Sequence, residues 1–311
     1  MARHSGISRG ARYDGAMLKS PAQTRPRGWH DLAGGSREFV KMHGLRNHFV
    51  LVDGRGEPYR PTASETARIC DPETGVGADQ LIVAEPPSEA GASAGATAFM
   101  RILNVDGWES EACGNALRCL AWLLMGERGG TSVIIETASG LRRCRAARDR
   151  RVEADMGAAR LGWRDIPLSR EMDTAHLGLA NGPLRDPAAV SMGNPHLTFF
   201  VDDLDGIDVA RWAPAIQRDP LLPEQANVGV AQMVNAETIA LSVWERPGIL
   251  TAACGTGACA AAVAAVRRGY SDAMRFRVVM RGGTVEITLA EDGSVRMEGE
   301  VAVSFAGVLP T

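Results

Sequence analysis

Two stretches of the chain repeat one order of apolar and polar positions. In the first, Leu117, Leu120, Ala121 and Leu124 recur at helical spacing, and the pattern stops at Gly126 and Gly129-Gly130. Strand-like segments follow at 132–137, 141–146 and 151–155, parted by turn residues at Ser139-Gly140 and Asp149-Arg150. In the second, a helical run over 258–266 closes at Arg267-Arg268-Gly269. Strand-like segments then follow at 276–280, 284–289 and 294–298, with turns at Gly282-Gly283 and Glu291-Asp292-Gly293. A cysteine followed by glycine opens each series, Cys113-Gly114 in one and Cys254-Gly255 in the other. One unit, cysteine then helix then meander, is expected twice.

The run at 258–266 is almost wholly small and apolar, which suits a helix surrounded by sheet, and Arg267 and Arg268 complement the negative end of its dipole. Elsewhere strands dominate: 47–52, 80–84, 99–104, 196–201, 228–234 and 239–244 all read as extended. The expected class is α/β (α+β), with two pseudo-symmetric domains, each a mainly antiparallel sheet wrapped around a central helix. Their facing cleft would hold the active site. The boundaries read as 39–157 for the domain carrying Cys113 and 158–299 for the one carrying Cys254, with a C-terminal strand over 300–311 returning to the first. Residues 1–38 are rich in Arg, Gly, Ser and Pro, lack periodicity, and are expected to be disordered or poorly packed. A loose extension or a misassigned start is preferred there over a transit peptide.

Composition narrows the class. A chain of 311 residues, 45% hydrophobic and without an apolar run of membrane-spanning length, reads as a soluble protein large enough for two cores. A net charge of -3 gives no sign of a nucleic-acid or membrane partner. Six cysteines without a signal peptide point to a reducing compartment, the cytoplasm, and to no disulfide framework. Lys19 and Lys41 are the only lysines, and Lys41 is a poor Schiff-base candidate, which argues against pyridoxal chemistry. Gly255-Thr256-Gly257 lacks the ending of a P-loop and the spacing of a dinucleotide fingerprint. No organic cofactor is expected.

A thiol at a helix N-terminus meets unpaired N–H groups and the positive end of the macrodipole, which favour thiolate and attract anionic substrate groups. Either cysteine alone reads better as a buried structural thiol. The matched surroundings favour a two-thiol site. Cys113 and Cys119 lie six apart, and Cys254 and Cys259 five apart. Both spacings are wider than in zinc knuckles, so no metal is expected, and Cys119 and Cys259 read as helix packing.

Seven short motifs now fall in one order: Met42-His43-Gly44-Leu45 with Asn47 and Phe49; Gly75-Val76-Gly77-Ala78-Asp79-Gln80; Asn104-Val105-Asp106-Gly107; Ala112-Cys113-Gly114-Asn115; Gly193-Asn194-Pro195-His196; Ala226-Asn227-Val228-Gly229; and Trp244-Glu245-Arg246 ahead of Cys254. From Phe39 to the C-terminus the chain resembles the diaminopimelate epimerases. The resemblance implies cofactor-independent interconversion of LL- and meso-diaminopimelate, in lysine and peptidoglycan precursor synthesis, by a homodimer. It makes Cys113 and Cys254 the base and acid on opposite faces of the α-carbon, with His196 and Glu245 supporting them. Asn47, Gln80, Asn104, Gly114, Asn115, Asn194, Asn227, Glu245, Arg246, Gly255 and Thr256 would bind the substrate, with Arg246 on the distal carboxylate. Without the resemblance, Asn194 reads as turn chemistry, His196 as a satisfied strand histidine and Glu245-Arg246 as a solvated pair.

The chain departs from the family pattern at three places. Arg46 and His48 stand in Gly44-Leu45-Arg46-Asn47-His48-Phe49 where Gly and Asp are usual, Ala116 replaces a glycine, and Pro247-Gly248-Ile249 replaces Gly-Ala-Gly. These bear on substrate fit and leave both thiols in place. Three alternatives stay open: a two-cysteine racemase for proline or hydroxyproline, a non-catalytic amino-acid-binding protein on the same fold, and a cysteine hydrolase using Cys113 and His196. A racemase of the proline type usually carries His where Asn115 stands.

Overall fold

The computed structural model describes residues 37–110, 112–246 and 248–309. The extension expected over 1–38 therefore lies outside the described residues except for Arg37 and Glu38, and Glu38 already opens the first strand.

The first half runs β1 (Glu38–Gly44), β2 (Asn47–Asp53), α1 (Ala63–Cys70), β3 (Gln80–Glu85), α2 (Glu89–Ser93), β4 (Ala98–Asn104), α3 (Gly114–Arg128), β5 (Ser132–Thr137), β6 (Gly140–Ala146) and β7 (Arg151–Ala158). The second runs β8 (Ala180–Asn181), β9 (Leu184–Arg185), β10 (Ala188–Ser191), β11 (Pro195–Phe200), α4 (Val209–Gln217), β12 (Asn227–Asn235), β13 (Thr238–Glu245), β14 (Ile249–Leu250), α5 (Gly255–Arg267), β15 (Arg275–Met280), β16 (Gly283–Leu289) and β17 (Ser294–Glu300), and β18 (Ala302–Val308) follows.

Strand pairing repeats through both halves. From β1 to β7 the neighbours are antiparallel, parallel, antiparallel, parallel, antiparallel and antiparallel. From β10 through β13 and on to β17 the sequence of pairings is the same. The parallel steps are the ones that need a crossover, and each is bridged by a helix: α1 and α4 at the first step, α3 and α5 at the second. The two sheets are hydrogen-bonded into one, because the last strands of the halves, β7 and β17, pair antiparallel. After β17 the chain crosses back and β18 pairs with β1.

α3 and α5 lie inside this curved sheet. Residues Gly114 through Met125 of α3 are all buried, and the helix stops at Gly129, whose φ of 63° suits glycine and lets its neighbour's N–H reach Met125. α5 is buried over most of its length by alanines, and their small side chains let strands approach from every side. Both helices and strands of both halves share one apolar core, while α4 and α1 each cover a separate core on the outer face. Hydrophobic spacing did not reveal α1, α2 or α4. The first two have eight and five residues, and α4 carries an internal Pro214 that breaks helical regularity.

Candidate active site

The repeat brings Cys113 and Cys254 to equivalent places, each the N-cap residue of its buried helix with an extended backbone and no side-chain cap. Both line one cavity of about 680 Å³. Two methionines fix how closely the helix ends approach. A Cβ on Gly114 would come within 2.4 Å of Met297 Cε and 3.0 Å of Met156 Cε, and one on Gly255 within 3.0 Å of Met297. Met156 and Met297 follow their cysteines by the same interval, on β7 and β17.

Equivalence extends to the polar wall. Phe49 is in register with Gln80 as His196 is with Asn227, and Gln80 with Asn104. Asn47 thus answers to Asn194, Gln80 to Asn227, Asn104 to Glu245, and Asn115 to Thr256. Hydrogen bonds follow the same correspondence. Asn115 Nδ2 donates to Asn47 Oδ1 at 3.4 Å, and Asn194 Nδ2 donates to Thr256 Oγ1 at 3.3 Å. Gln80 Nε2 donates to Asn104 Oδ1 at 2.9 Å, leaving buried Gln80 Oε1 without a partner. The Arg246 backbone N–H donates to Asn227 Oδ1 at 2.9 Å, and its Nη1 donates to the Glu224 carbonyl.

The two thiols differ in their neighbours. Cys113 Sγ lies 3.7 Å from Asn47 Oδ1, and Asn47 is held in turn by Asp79. Burial pushes this thiol up to about 11 and Glu245 adds to the rise, against the lowering pull of the Ala116 and Asn115 backbone N–H groups and of Arg118. Cys254 Sγ lies 3.6 Å from Thr256 Oγ1, and the Glu245 carboxyl is within hydrogen-bonding reach of it. Burial, and after it Glu245, pushes Cys254 well above its ordinary value. Thr251 Oγ1 donates to Glu245 Oε1 at 2.5 Å, yet burial still holds that carboxyl above the usual carboxylate range.

Of the residues singled out from sequence, Asn47, Gln80, Asn104, Cys113, Gly114, Asn115, Asn194, Asn227, Glu245, Arg246, Cys254, Gly255 and Thr256 all line the cavity. His196 does not. It is fully buried behind Asn194, its Nε2 3.1 Å from Asn194 Oδ1, and burial holds it down to about 3, a neutral ring at working pH. Arg46 lines the cavity from the β1–β2 turn with a φ of 62°, a left-handed conformation that favours the glycine it replaces. Ile249 lines it as well, and the described residues do not include Pro247. Sequence reading missed Thr251, Asp79 and Arg118. Thr251 could have been found only through its partner, whereas Asp79 already stood beside Gln80 in the second motif. Arg118 was visible as a cation inside an otherwise apolar helical stretch.

Comparison with known proteins finds relatives along most of the chain. The diaminopimelate epimerase family model matches residues 39–162 and 188–303. A diaminopimelate epimerase from Acidiphilium cryptum is 50% identical over 274 residues, covering 88% of this chain and 96% of that protein. One from Rhodospirillum centenum is 45% identical, covering 88% and 92%. Among solved structures, a probable proline racemase from Agrobacterium radiobacter K84 superposes with a TM-score of 0.63 at 16% identity, over 88% of this chain and 93% of that one, a likeness of fold.

Proposed function

The chain belongs to the diaminopimelate epimerase family, and from that membership we propose that it interconverts LL- and meso-diaminopimelate by proton transfer between two thiols. One observation carries the reading: a single cavity lined by two cysteines, each at the N-terminus of a buried helix related to the other by the internal repeat.

Inverting an α-carbon means taking its proton from one face and returning another to the opposite face, so two acid/base groups must flank it. Cys113 and Cys254 fill those roles, each the base in one direction and the acid in the other. As the C–H bond breaks, negative charge develops on the substrate's α-carboxylate. Backbone N–H groups around Gly114-Asn115 and Gly255-Thr256 meet it, with the positive ends of both helix dipoles behind them. Glycine at 114 and 255 lets Met156 and Met297 pack close against the two helix ends. The far end of the substrate would meet Arg246 as a bidentate carboxylate partner, with Asn104, Asn194 and Asn227 around it.

This chemistry calls for no cofactor. The protein would work as a homodimer in the cytoplasm, which sedimentation and cell fractionation check. The favoured alternative substrate is proline or hydroxyproline, and Asn115 beside Cys113 argues against it. The decisive experiment incubates purified protein with LL-diaminopimelate in deuterium oxide. Deuterium should enter one α-carbon as meso product forms, and Cys113→Ala or Cys254→Ala should each lower the rate by about 10³-fold or more. Full activity in either variant, or exchange with proline in place of diaminopimelate, would overturn the reading.

A further inference from the structure

Each half of the repeat leads into its cysteine by the same path. Asn104 stands nine residues before Cys113 and Glu245 nine before Cys254, and in each case the chain turns back on the strand it has just left. Leu103 bridges to Glu109 as Trp244 pairs with Leu250. The Ser110 N–H donates to the Ile102 carbonyl at 2.9 Å, and the Thr251 N–H donates to the Val243 carbonyl at 3.3 Å. Main-chain bonds therefore hold the returning segment in both halves without help from its side chains.

The side chains are used differently. Ser110 Oγ reaches the Ala112 carbonyl at 3.5 Å, and Asn104 takes its hydrogen bond from Gln80 on β3. In the second half Thr251 Oγ1 donates to Glu245 Oε1 at 2.5 Å, as short as a charge-assisted bond from a hydroxyl to a carboxylate. Both residues line the cavity, and three residues further on the same segment reaches Cys254. That segment is itself anchored: the Ala252 carbonyl accepts from the Gly282 N–H at 2.7 Å, and the Cys254 N–H lies 3.4 Å from Met280 Sδ. A carboxylate can only accept, so the hydroxyl commits Oε1 and leaves Oε2 to meet a proton donor in the cavity. Among the described residues, the ionisable groups around this carboxyl are Cys254 at the start of α5 and Cys113 at the start of α3, while neighbouring Arg246 turns its guanidinium to the Glu224 carbonyl.

We infer that Thr251 is a positioning residue: its hydroxyl ties the Glu245 carboxylate to the segment that carries Cys254, holding one oxygen so that the other is aimed into the cavity. The assignment rests on the two-thiol reading above and adds the group that aims Glu245. The first half, with an amide at 104 in the place of the carboxylate, makes no such bond, so the duplicated scaffold does not require it. Without the hydroxyl the half-buried carboxyl would lose a donor, which favours its neutral form, and its side chain would be free to turn.

The test compares the parent with Thr251→Val, which keeps the shape and removes the hydroxyl, and with Thr251→Ser, which keeps the hydroxyl. Titration of Glu245 is followed by carbon-13 NMR of protein labelled at the glutamate side-chain carboxyl, its resonance assigned by its loss in Glu245→Gln. Thr251→Val should raise the midpoint by about one pH unit, and Thr251→Ser should leave it within about 0.3 unit of the parent. Iodoacetamide alkylation of Cys254 against pH, read by peptide mass spectrometry, should shift in Thr251→Val in the same direction as in Glu245→Gln, and the double variant should shift no further than Glu245→Gln alone. Neither readout needs substrate, so the assignment can fail while the epimerase reading stands, and the reverse. In turnover, Thr251→Val should lower kcat by about tenfold and Thr251→Ser should restore it. A Glu245 midpoint that does not move in Thr251→Val, or a Cys254 shift that adds in full to that of Glu245→Gln, overturns the assignment. Should Thr251→Val fail to fold, Thr251→Ala decides by the same two readouts.

Discussion

The two halves of this protein share a backbone and differ in charge. In the first, Cys113 stands among Asn47, Asn104 and Asn115 with Arg118 buried behind; in the second, Cys254 stands among Asn194, Glu245 and Thr256 with Cys259 in the place of the arginine. Duplication supplies two helix ends that face each other across a cavity, and symmetry alone would make both thiols equally hard to ionise. Burial and Glu245 raise both thiols, and Arg118 opposes the rise at Cys113 without a counterpart at Cys254. A two-base reaction needs such an inequality, because it begins from one thiolate and one thiol.

Glu245→Gln should weaken the contrast most. It removes the carboxyl that raises Cys254 and, to a lesser degree, Cys113, so both should be alkylated at lower pH, Cys254 more strongly. With the second thiol less firmly protonated, kcat should fall by about 10². An unchanged Cys254 profile would show that Glu245 is a substrate ligand only.

A second contrast pairs Phe49 with His196. The buried histidine takes up its proton only near pH 3, whereas the unfolded chain takes it up near pH 6.5. Below pH 6.5 the unfolded state therefore binds more protons, and stability contributed by the neutral ring is lost as pH falls through that window. Between pH 6.5 and 5 this amounts to about 2 kcal/mol. His196→Phe, which copies the first half into the second, should flatten the pH dependence of urea unfolding over this interval. Equal slopes for the two proteins would remove His196 as its source.

The smallest effect concerns the glycines. Gly114→Ala would meet two methionine side chains and Gly255→Ala one, so the first should lose about 1 kcal/mol and the second less, read from denaturant midpoints. The reverse order would mean that Met297 yields more easily than its packing indicates.

Much of this was legible in the residues themselves. Helical spacing after Cys113 and Cys254, with matching strands and turns, gave the repeat, because hydrophobic periodicity records which face of each element is buried. The seven motifs gave most of the residues that line the cavity, but not the stretch from Ile249 to Ala253 or Ser110. What stayed hidden depended on partners distant in sequence. Arg118 against Gly299, Thr251 on Glu245, and His196 turned away behind Asn194 are relations between separate strands and helices, and no local spacing encodes them. The joining of the two sheets through β7 and β17 was equally invisible, since a strand's edge carries no sign of which other strand will cover it.

Sequence alone thus determined the duplicated plan, the pair of thiols at helix starts and the polar set around them, all written in short-range patterns and residue types. Tertiary structure decided that Arg118 is enclosed without a carboxylate partner and that Glu245 reaches both thiols. Burial strips water from those charges, and only the packed fold settles which of them remain close enough to act on each sulfur.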